Sequence, residues 1–225
     1  MHPANAYLDG AYHAKTGGTW HLEDAAYKAA QVLRMLRRHA EIHPRSICDI
    51  GCGAGGVLSE LGKHLTDARL VGYEISPQAR DLSRSLATQH LEFRTGAFQD
   101  HQHFDVSLIL DVVEHVEDCF TFLRQCAAKA RWKVYIIPLD TSASMVLRGA
   151  NCWDSVGHLH LFTKETALKS VEHSGQRVVD WFLTPTSLAR PHRLATRFTN
   201  LARRILPEAL ASRLLGGYSI LILAE

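Results

Sequence analysis

The sequence predicts an α/β fold: a doubly wound, seven-stranded, mostly parallel sheet with an N-terminal helical lid and a helical insert before the last strand. Three observations predict it. Short apolar runs rich in β-branched residues alternate with amphipathic stretches from about residue 45 onward. Runs such as Val106-Ser107-Leu108-Ile109-Leu110 and Val134-Tyr135-Ile136-Ile137 are almost continuously apolar, as strands are when helices cover both faces of a sheet. The first run turns through a cluster of glycines, 51–56, straight into an amphipathic stretch.

Strands are expected near 46–50, 69–74, 91–95, 105–110, 132–137, 177–183 and 218–224, and helices near 22–40, 56–65, 77–88, 114–130 and 163–174. At 225 residues the chain suits one α/β unit with one elaboration. Residues 1–44, which carry Tyr7, Tyr12, Trp20 and His21 ahead of a helix, read as a lid on the domain 45–225. Residues 186–215 read as a basic amphipathic helical insert. Arg190, Arg193, Arg197, Arg203, Arg204 and Arg213 face a single acid, Glu208, with Leu194, Phe198, Leu201 and Ile205 on the apolar side.

Composition narrows the function classes. Hydrophobic residues at 46% and charged residues at 21% are ordinary globular usage, which excludes a disordered or fibrous chain. A formal net charge of +2 gives no support to binding a long polyanion over the whole surface. The start, Met1 to Asn5, has no basic region followed by an apolar run, and no apolar stretch approaches the roughly 18 residues of a membrane span. Cys48, Cys52, Cys119, Cys126 and Cys152 contain no C-x-x-C pair and fit neither a disulfide framework nor a common zinc spacing. Together these features point to a cytoplasmic location with reduced, mostly buried thiols. Cys119 and Cys126, seven apart on a helix, read as core.

The strongest local signal is Ile47-Cys48-Asp49-Ile50-Gly51-Cys52-Gly53-Ala54-Gly55-Gly56. Gly51, Gly53 and Gly56 satisfy the dinucleotide spacing G-x-G-x-x-G, which taken singly does not choose between adenosine ligands. Asp49 separates them better. A carboxylate at the end of a buried strand needs a cation or donors. A nicotinamide pyrophosphate offers it only negative charge, whereas a methionine amino group offers a partner, and the loop amides can take the methionine carboxylate. The plainer alternative is that Asp49 caps the turn. Glu74 ends the second strand, placed to accept hydrogen bonds from ribose hydroxyls, an arrangement both adenosine cofactors use. Ser76 and Pro77 make a good helix start.

On these motifs the chain resembles the class I S-adenosylmethionine-dependent methyltransferases, in particular groups similar to the ubiquinone-pathway O-methyltransferases. The motifs are the acid-plus-glycine loop at 49–56, Glu74, Asp111-Val112-Val113-Glu114-His115-Val116 after the fourth strand, and Gly157-His158-Leu159-His160-Leu161-Phe162-Thr163 before a helix. The resemblance implies a Rossmann-like fold with S-adenosylmethionine as cofactor and S-adenosylhomocysteine as product. It places Asp49, Gly51 and Gly53 at the methionine end, Glu74 at the ribose, Ala97 and Phe98 at the adenine, and Cys52, Ile75, Asp111 and Val112 also on the cofactor. Many relatives carry an acid where Ala97 stands, and Gln99 or Asp100 are the substitutes within reach.

Methyl transfer from a sulfonium is an in-line displacement, so the protein mainly positions the acceptor and excludes water. An alcohol or phenol must also lose its proton, whereas a neutral amine attacks unaided. His115, His158 and His160 should border the methyl end as candidate bases. For His115 the alternative is a loop brace. For His158 and His160, side chains alternate in an extended segment, so at most one of the two faces the substrate. A metal on these histidines with Glu114 is the less favoured reading, and no metal is expected. Trp20, His21, Glu114 and Asp140 complete the substrate and lid side, where aromatic walls either stack on a flat acceptor or pack the lid.

The turn Asp111-Val112-Val113-Glu114 is not the Asn/Asp-Pro-Pro-aromatic turn that the superfamily uses on exocyclic DNA nitrogens, so no DNA is expected. The expectation is methylation of an O or N atom of a small-molecule acceptor, with an RNA or protein methyltransferase, a non-catalytic S-adenosylmethionine-binding protein and an NAD-dependent oxidoreductase as rivals. The insert 186–215 suits an anionic or phosphorylated acceptor, RNA or peripheral contact with an anionic membrane, or is simply a solvated cover.

Overall fold

Seven apolar runs form seven strands, at the places the alternation predicts: β1 Ser46–Ile50, β2 Arg69–Glu74, β3 Leu91–Thr95, β4 Phe104–Leu110, β5 Ala130–Pro138, β6 Val178–Pro185 and β7 Tyr218–Ala224. They make one sheet in the order β3-β2-β1-β4-β5-β7-β6. Neighbours from β3 to β5 run parallel, and β7 lies antiparallel between β5 and β6. The computed structural model describes residues 5–15, 17–96, 98, 102–148, 157–186 and 205–225. Cys152 and 187–204 of the expected insert, including Arg190, Arg193, Arg197, Arg203 and Arg204, lie outside the described residues.

Alternate strand residues feed two cores, one on each face. Ile47, Leu70, Val106, Leu108, Val134, Ile136, Leu221 and Leu223 pack under helices α3 (Ala25–Arg38) and α4 (Gly56–Gly62). Cys48, Ile50, Val71, Ile109, Tyr135, Ile137, Ile220 and Ile222 pack against α6 (Cys119–Ala127) and α8 (Lys164–His173). Cys119 and Cys126 belong to this second core, and the four described cysteines are buried and form no disulfide among the described residues. Helix α5 (Pro77–Ser83) opens as its sequence suggests, with Pro77 in the first turn and the Ser76 hydroxyl accepting from the Ala79 amide.

Three boundaries differ from expectation, each for a local reason. The helix expected from 114 begins at Cys119, because Val113–His115 closes a 3-10 turn and Asp118 then caps the helix by accepting from the Thr121 amide at 3.0 Å. The helix expected from 22 starts as a 3-10 turn, Leu22–Asp24, since Trp20 and His21 both sit in the left-handed region. The helix expected to reach 88 tightens to 3-10 over Arg84–Leu86. Short helices α1 (Asn5–Leu8), α2 (Ala11–Lys15) and α7 (Ala143–Arg148), too brief to show a period, are additional. Within the insert, α9 (Glu208–Leu215) is helical. Among the described residues no helix is long and apolar enough to cross a membrane.

Candidate active site

The carboxyl ends of β1, β2, β4 and β5 meet on one edge, which is where an open α/β sheet binds ligands. β1 is central there: Asp49 lies beside Gly72 of β2 and Leu108 of β4. The chain then turns sharply, with the amides of Gly51 and Cys52 donating to the Tyr73 carbonyl at 2.8 and 3.1 Å. Gly51 has φ +77°, and a Cβ there would lie 2.8 Å from a Val112 methyl. Gly53 has φ +54°, and a Cβ on it would stand in ordinary contact with the Trp20 ring at 3.8 Å.

Two buried carboxyls flank this loop. Glu74 accepts from the Gly53 amide and, through its other oxygen, from the Ser76 amide, both at 2.8 Å. Those bonds hold the loop to β2 and leave a second lone pair on each oxygen for a hydroxyl donor. Burial outweighs them and raises the Glu74 pKa. Asp49 is 3% exposed, and its Oδ1 has no hydrogen-bond partner. Burial pushes its pKa up to about 7, against the pull of Lys28. Cys52 is buried, with its sulfur 2.6 Å from the position a Cβ on Gly72 would take. Ile75 projects outward at 40% exposure. Phe98 turns its ring into the core, edge-to-face on Phe122, and Ala97, Gln99 and Asp100 lie outside the described residues.

Sequence reasoning missed Lys28. It bonds Asp111 at 2.7 Å, and although burial opposes its charge, Asp111, Asp24 and Glu114 together raise its pKa. The signal was present: Lys28 falls between Ala25 and Val32 on the apolar stripe of α3, where a cation needs a partner. Asp111, at φ +55°, is a non-glycine residue in the left-handed region at the end of β4.

Beyond β4 and β5 the chain brings histidines together. The Glu114 carbonyl accepts from the Leu159 and His160 amides at 2.7 and 3.1 Å, and the Phe162 carbonyl accepts from Thr141 at 3.1 Å. The segment 157–162 is thereby laid across both strand ends. His158 Nδ1 hydrogen-bonds Asp140 Oδ2. His115 Nδ1 meets the Gly157 carbonyl at 3.1 Å, so it carries the proton and Nε2 keeps the lone pair. The rings of His115 and His158 stand edge-to-face, 4.7 Å apart. Burial, then His158, lowers the His115 pKa to about 4, so the ring is neutral near pH 7. Glu114 is fully buried with no hydrogen bond to either oxygen, and burial, with Asp111 and Asp140, raises its pKa well above the carboxylate range. His160 points elsewhere: its Nε2 donates to the Val116 carbonyl at 2.8 Å and braces that turn.

The N-terminal segment covers this edge. Tyr7 and Tyr12 pack ring to ring at 4.6 Å, Tyr12 lies 5.1 Å from Trp20, and Tyr7 meets His115 edge-on at 6.0 Å. Trp20 donates to His13 at 2.9 Å and backs onto Gly53. His21 lies beside Glu23 at 3.7 Å. On the insert, Arg213 pairs with Glu165 at 2.5 Å, so this arginine is already neutralised.

Comparison with known proteins decides what such an edge belongs to. Residues 48–131 match the family model described as a methyltransferase domain. Residues 48–131 are thus similar to a methyltransferase domain. It is 32% identical over 150 residues to a ubiquinone biosynthesis O-methyltransferase of Nitrobacter winogradskyi, covering 64% of this chain and 53% of that one. A Coxiella burnetii protein of the same name is 30% identical over 107 residues, 43% of each chain. The chain thus spans about half the length of the curated relatives it matches. In fold it is similar to magnesium protoporphyrin IX methyltransferase from Synechocystis with bound SAH, with TM-score 0.61, 17% identity, and 89% and 82% of the two chains covered. It is also similar to a SAM-dependent methyltransferase from Thiobacillus denitrificans in complex with S-adenosyl-L-homocysteine, with TM-score 0.64, 14% identity, and 95% and 97% covered.

The glycine loop depends on its first turn. Gly51→Ala is expected to destabilise the protein by about 1–3 kcal/mol, from the left-handed backbone and the close Val112 methyl. Urea melts measure this, and Val112→Ala in the same background should recover part of the loss. Equal melts for wild type and Gly51→Ala would refute the strain.

Proposed function

We propose that this chain is an S-adenosylmethionine-dependent methyltransferase acting on a hydroxyl oxygen of a small-molecule acceptor. The observation that carries the reading is the His158 imidazole, held through Nδ1 by Asp140 at the mouth formed by β4 and β5. A carboxylate-oriented imidazole presents its Nε2 lone pair in a fixed direction, which a hydroxyl acceptor requires and an amine does not. The O-methyltransferase names of the curated relatives support the same choice.

The residues present fit the cofactor. Asp49 offers a buried carboxyl oxygen with no partner to an ammonium group, and Glu74 holds free lone pairs for hydroxyl donors. When bound, S-adenosylmethionine supplies an electrophilic methyl group that passes to the acceptor oxygen as the carbon–sulfur bond breaks. Asp49 and the loop amides then bind the methionine end and Glu74 the ribose, while Ile75 gives the base an apolar contact. His158 Nε2 receives the hydroxyl proton. Residues 1–44 act as a lid, with Tyr7, Tyr12 and Trp20 keeping water from the mouth.

Thermal shift with S-adenosylmethionine, S-adenosylhomocysteine and NAD tests the cofactor. A ligand at about 100 times its Kd adds about 2.7 kcal/mol, or roughly 5–10 °C for a chain of this size. A rise with the first two and none with NAD is expected, and a rise with NAD alone overturns the reading. Transfer of tritiated methyl to panels of phenols, hydroxy acids and amines then tests the acceptor class.

A further inference from the structure

We propose that Glu114, His115 and His158 form a binding site for a single divalent first-row transition cation, such as Zn2+ or Mn2+. A donor atom of each lies within 4.8 Å of the other two, in the cluster that combines the ends of β4 and β5 with the 157–162 segment. Donors about 2.1 Å from a tetrahedral ion lie about 3.4 Å apart, so a pair has up to about 1.4 Å to close, within reach of small side-chain rotations.

The outer contacts favour ligation over an ordinary polar cluster. Ligating histidines donate their second ring N–H to a carboxylate or backbone carbonyl, which fixes the ring and aims the other nitrogen at the ion. Both rings do so here: His115 Nδ1 bonds the Gly157 carbonyl and His158 Nδ1 bonds Asp140. The Nε2 atoms remain as ligands, and His115 Nε2 already stands 3.9 Å from Glu114 Oε1.

Glu114 is the independent observation. Its side chain is 0% exposed and neither oxygen has a hydrogen-bond partner. A buried acceptor left unmet costs stability, and a bound ion is one of the few explanations that remove the cost. The surrounding charge agrees. Asp49, Asp111, Glu114 and Asp140 gather at these strand ends, with Lys28 as the cation bonded among them. Two imidazoles and one carboxylate form a mixed nitrogen and oxygen set that suits Zn2+, Mn2+ or Fe2+ better than the all-oxygen cages of Ca2+ or Mg2+. The His115 and His158 side chains keep 15% and 13% of their surface exposed, a narrow approach for a further ligand.

The inference deepens the hydroxyl-methylation reading and rests on it only for what the cation does. A cation held here occupies the His158 lone pair and itself lowers the pKa of a coordinated hydroxyl, so His158 serves as ligand where the metal-free protein would use it as base.

The test titrates Mn2+ and Zn2+ into the EDTA-treated full chain with no cofactor or acceptor present, with Mg2+ as comparator. One equivalent is expected to bind at micromolar Kd and raise Tm by several degrees. The Mn2+ electron paramagnetic resonance spectrum should show coupling to imidazole nitrogen. Glu114→Gln and His158→Ala should weaken binding at least 30-fold, and Asp140→Asn about tenfold, while His160→Ala binds as wild type. No binding to the wild type, or equal binding by all variants, overturns the proposal. Should His158→Ala fail to fold, the isosteric Glu114→Gln and the nitrogen coupling decide alone. Because no methyl donor is present, a blank titration leaves the methyl-transfer reading standing, and an inactive acceptor screen leaves the titration standing.

Discussion

Asp49→Asn is expected to make the protein more stable at pH 8 and nearly blind to S-adenosylmethionine. Burial holds the Asp49 carboxyl at about 7, whereas an aspartate in the unfolded chain titrates near about 3.9. Between those values the unfolded chain has lost a proton that the folded chain still holds. The stability contributed by the neutral, buried acid is therefore fully present below about pH 4 and is lost as pH rises through 7. Three pH units correspond to at most about 4 kcal/mol. The wild type carries that cost at pH 8, and asparagine, with nothing to ionise, does not. Urea melts of both proteins should separate by about 2–4 kcal/mol at pH 8 and converge toward pH 4. In binding, loss of a charge-assisted contact of about 1.5–3 kcal/mol weakens the cofactor roughly 10- to 150-fold, measured by calorimetry. An asparagine variant that is no more stable at pH 8, or that binds the cofactor as wild type does, would show that Asp49 is only a turn cap.

That trade, stability yielded where a ligand is to be met, is legible in the sequence at Asp49 because the residue interrupts an apolar strand beside glycines. The sheet was equally legible, since runs such as Val134 to Ile137 are apolar at every position and admit few other placements. Strand direction was not: 218–224 is apolar on both faces and reads the same whether parallel or antiparallel, so only pairing with β5 and β6 shows that β7 is reversed. The site was legible by motif and hidden by pairing. Glu114, His115 and His158 are visible as residue types, but that His115 and His158 stand ring to ring depends on the Glu114 carbonyl tying down the amides of 159 and 160, a contact 45 residues apart in sequence. Lys28 escaped because its partner Asp111 lies on another element, although its place on an apolar stripe was a signal in itself. The alternation of 158 and 160 did separate the two histidines, one to Asp140 and the other to a backbone carbonyl.

The separation has a kinetic consequence. With the best acceptor from the methyl-transfer screen, His158→Ala should lower kcat by about 10²–10⁴-fold, the contribution of positioned proton removal. Its loss acts in the same direction whether the lone pair takes the proton itself or holds a cation. Asp140→Asn should cost less, roughly tenfold, because the imidazole survives and only its orientation and tautomer are loosened. His160→Ala should lower Tm by removing the brace on the Val116 carbonyl while kcat stays within about threefold, since losing a part-buried hydrogen bond costs about 0.5–1.5 kcal/mol of stability and no chemistry. KM for S-adenosylmethionine should change little in all three, as none of these side chains faces the methionine loop. The ordering of the three variants carries the test. In the EDTA-treated protein, a large loss at His158 alone assigns the acceptor atom to a hydroxyl oxygen, because an unprotonated amine needs no proton removed before it attacks. Equal kcat in all three variants would remove the base and leave positioning as the whole of the catalysis.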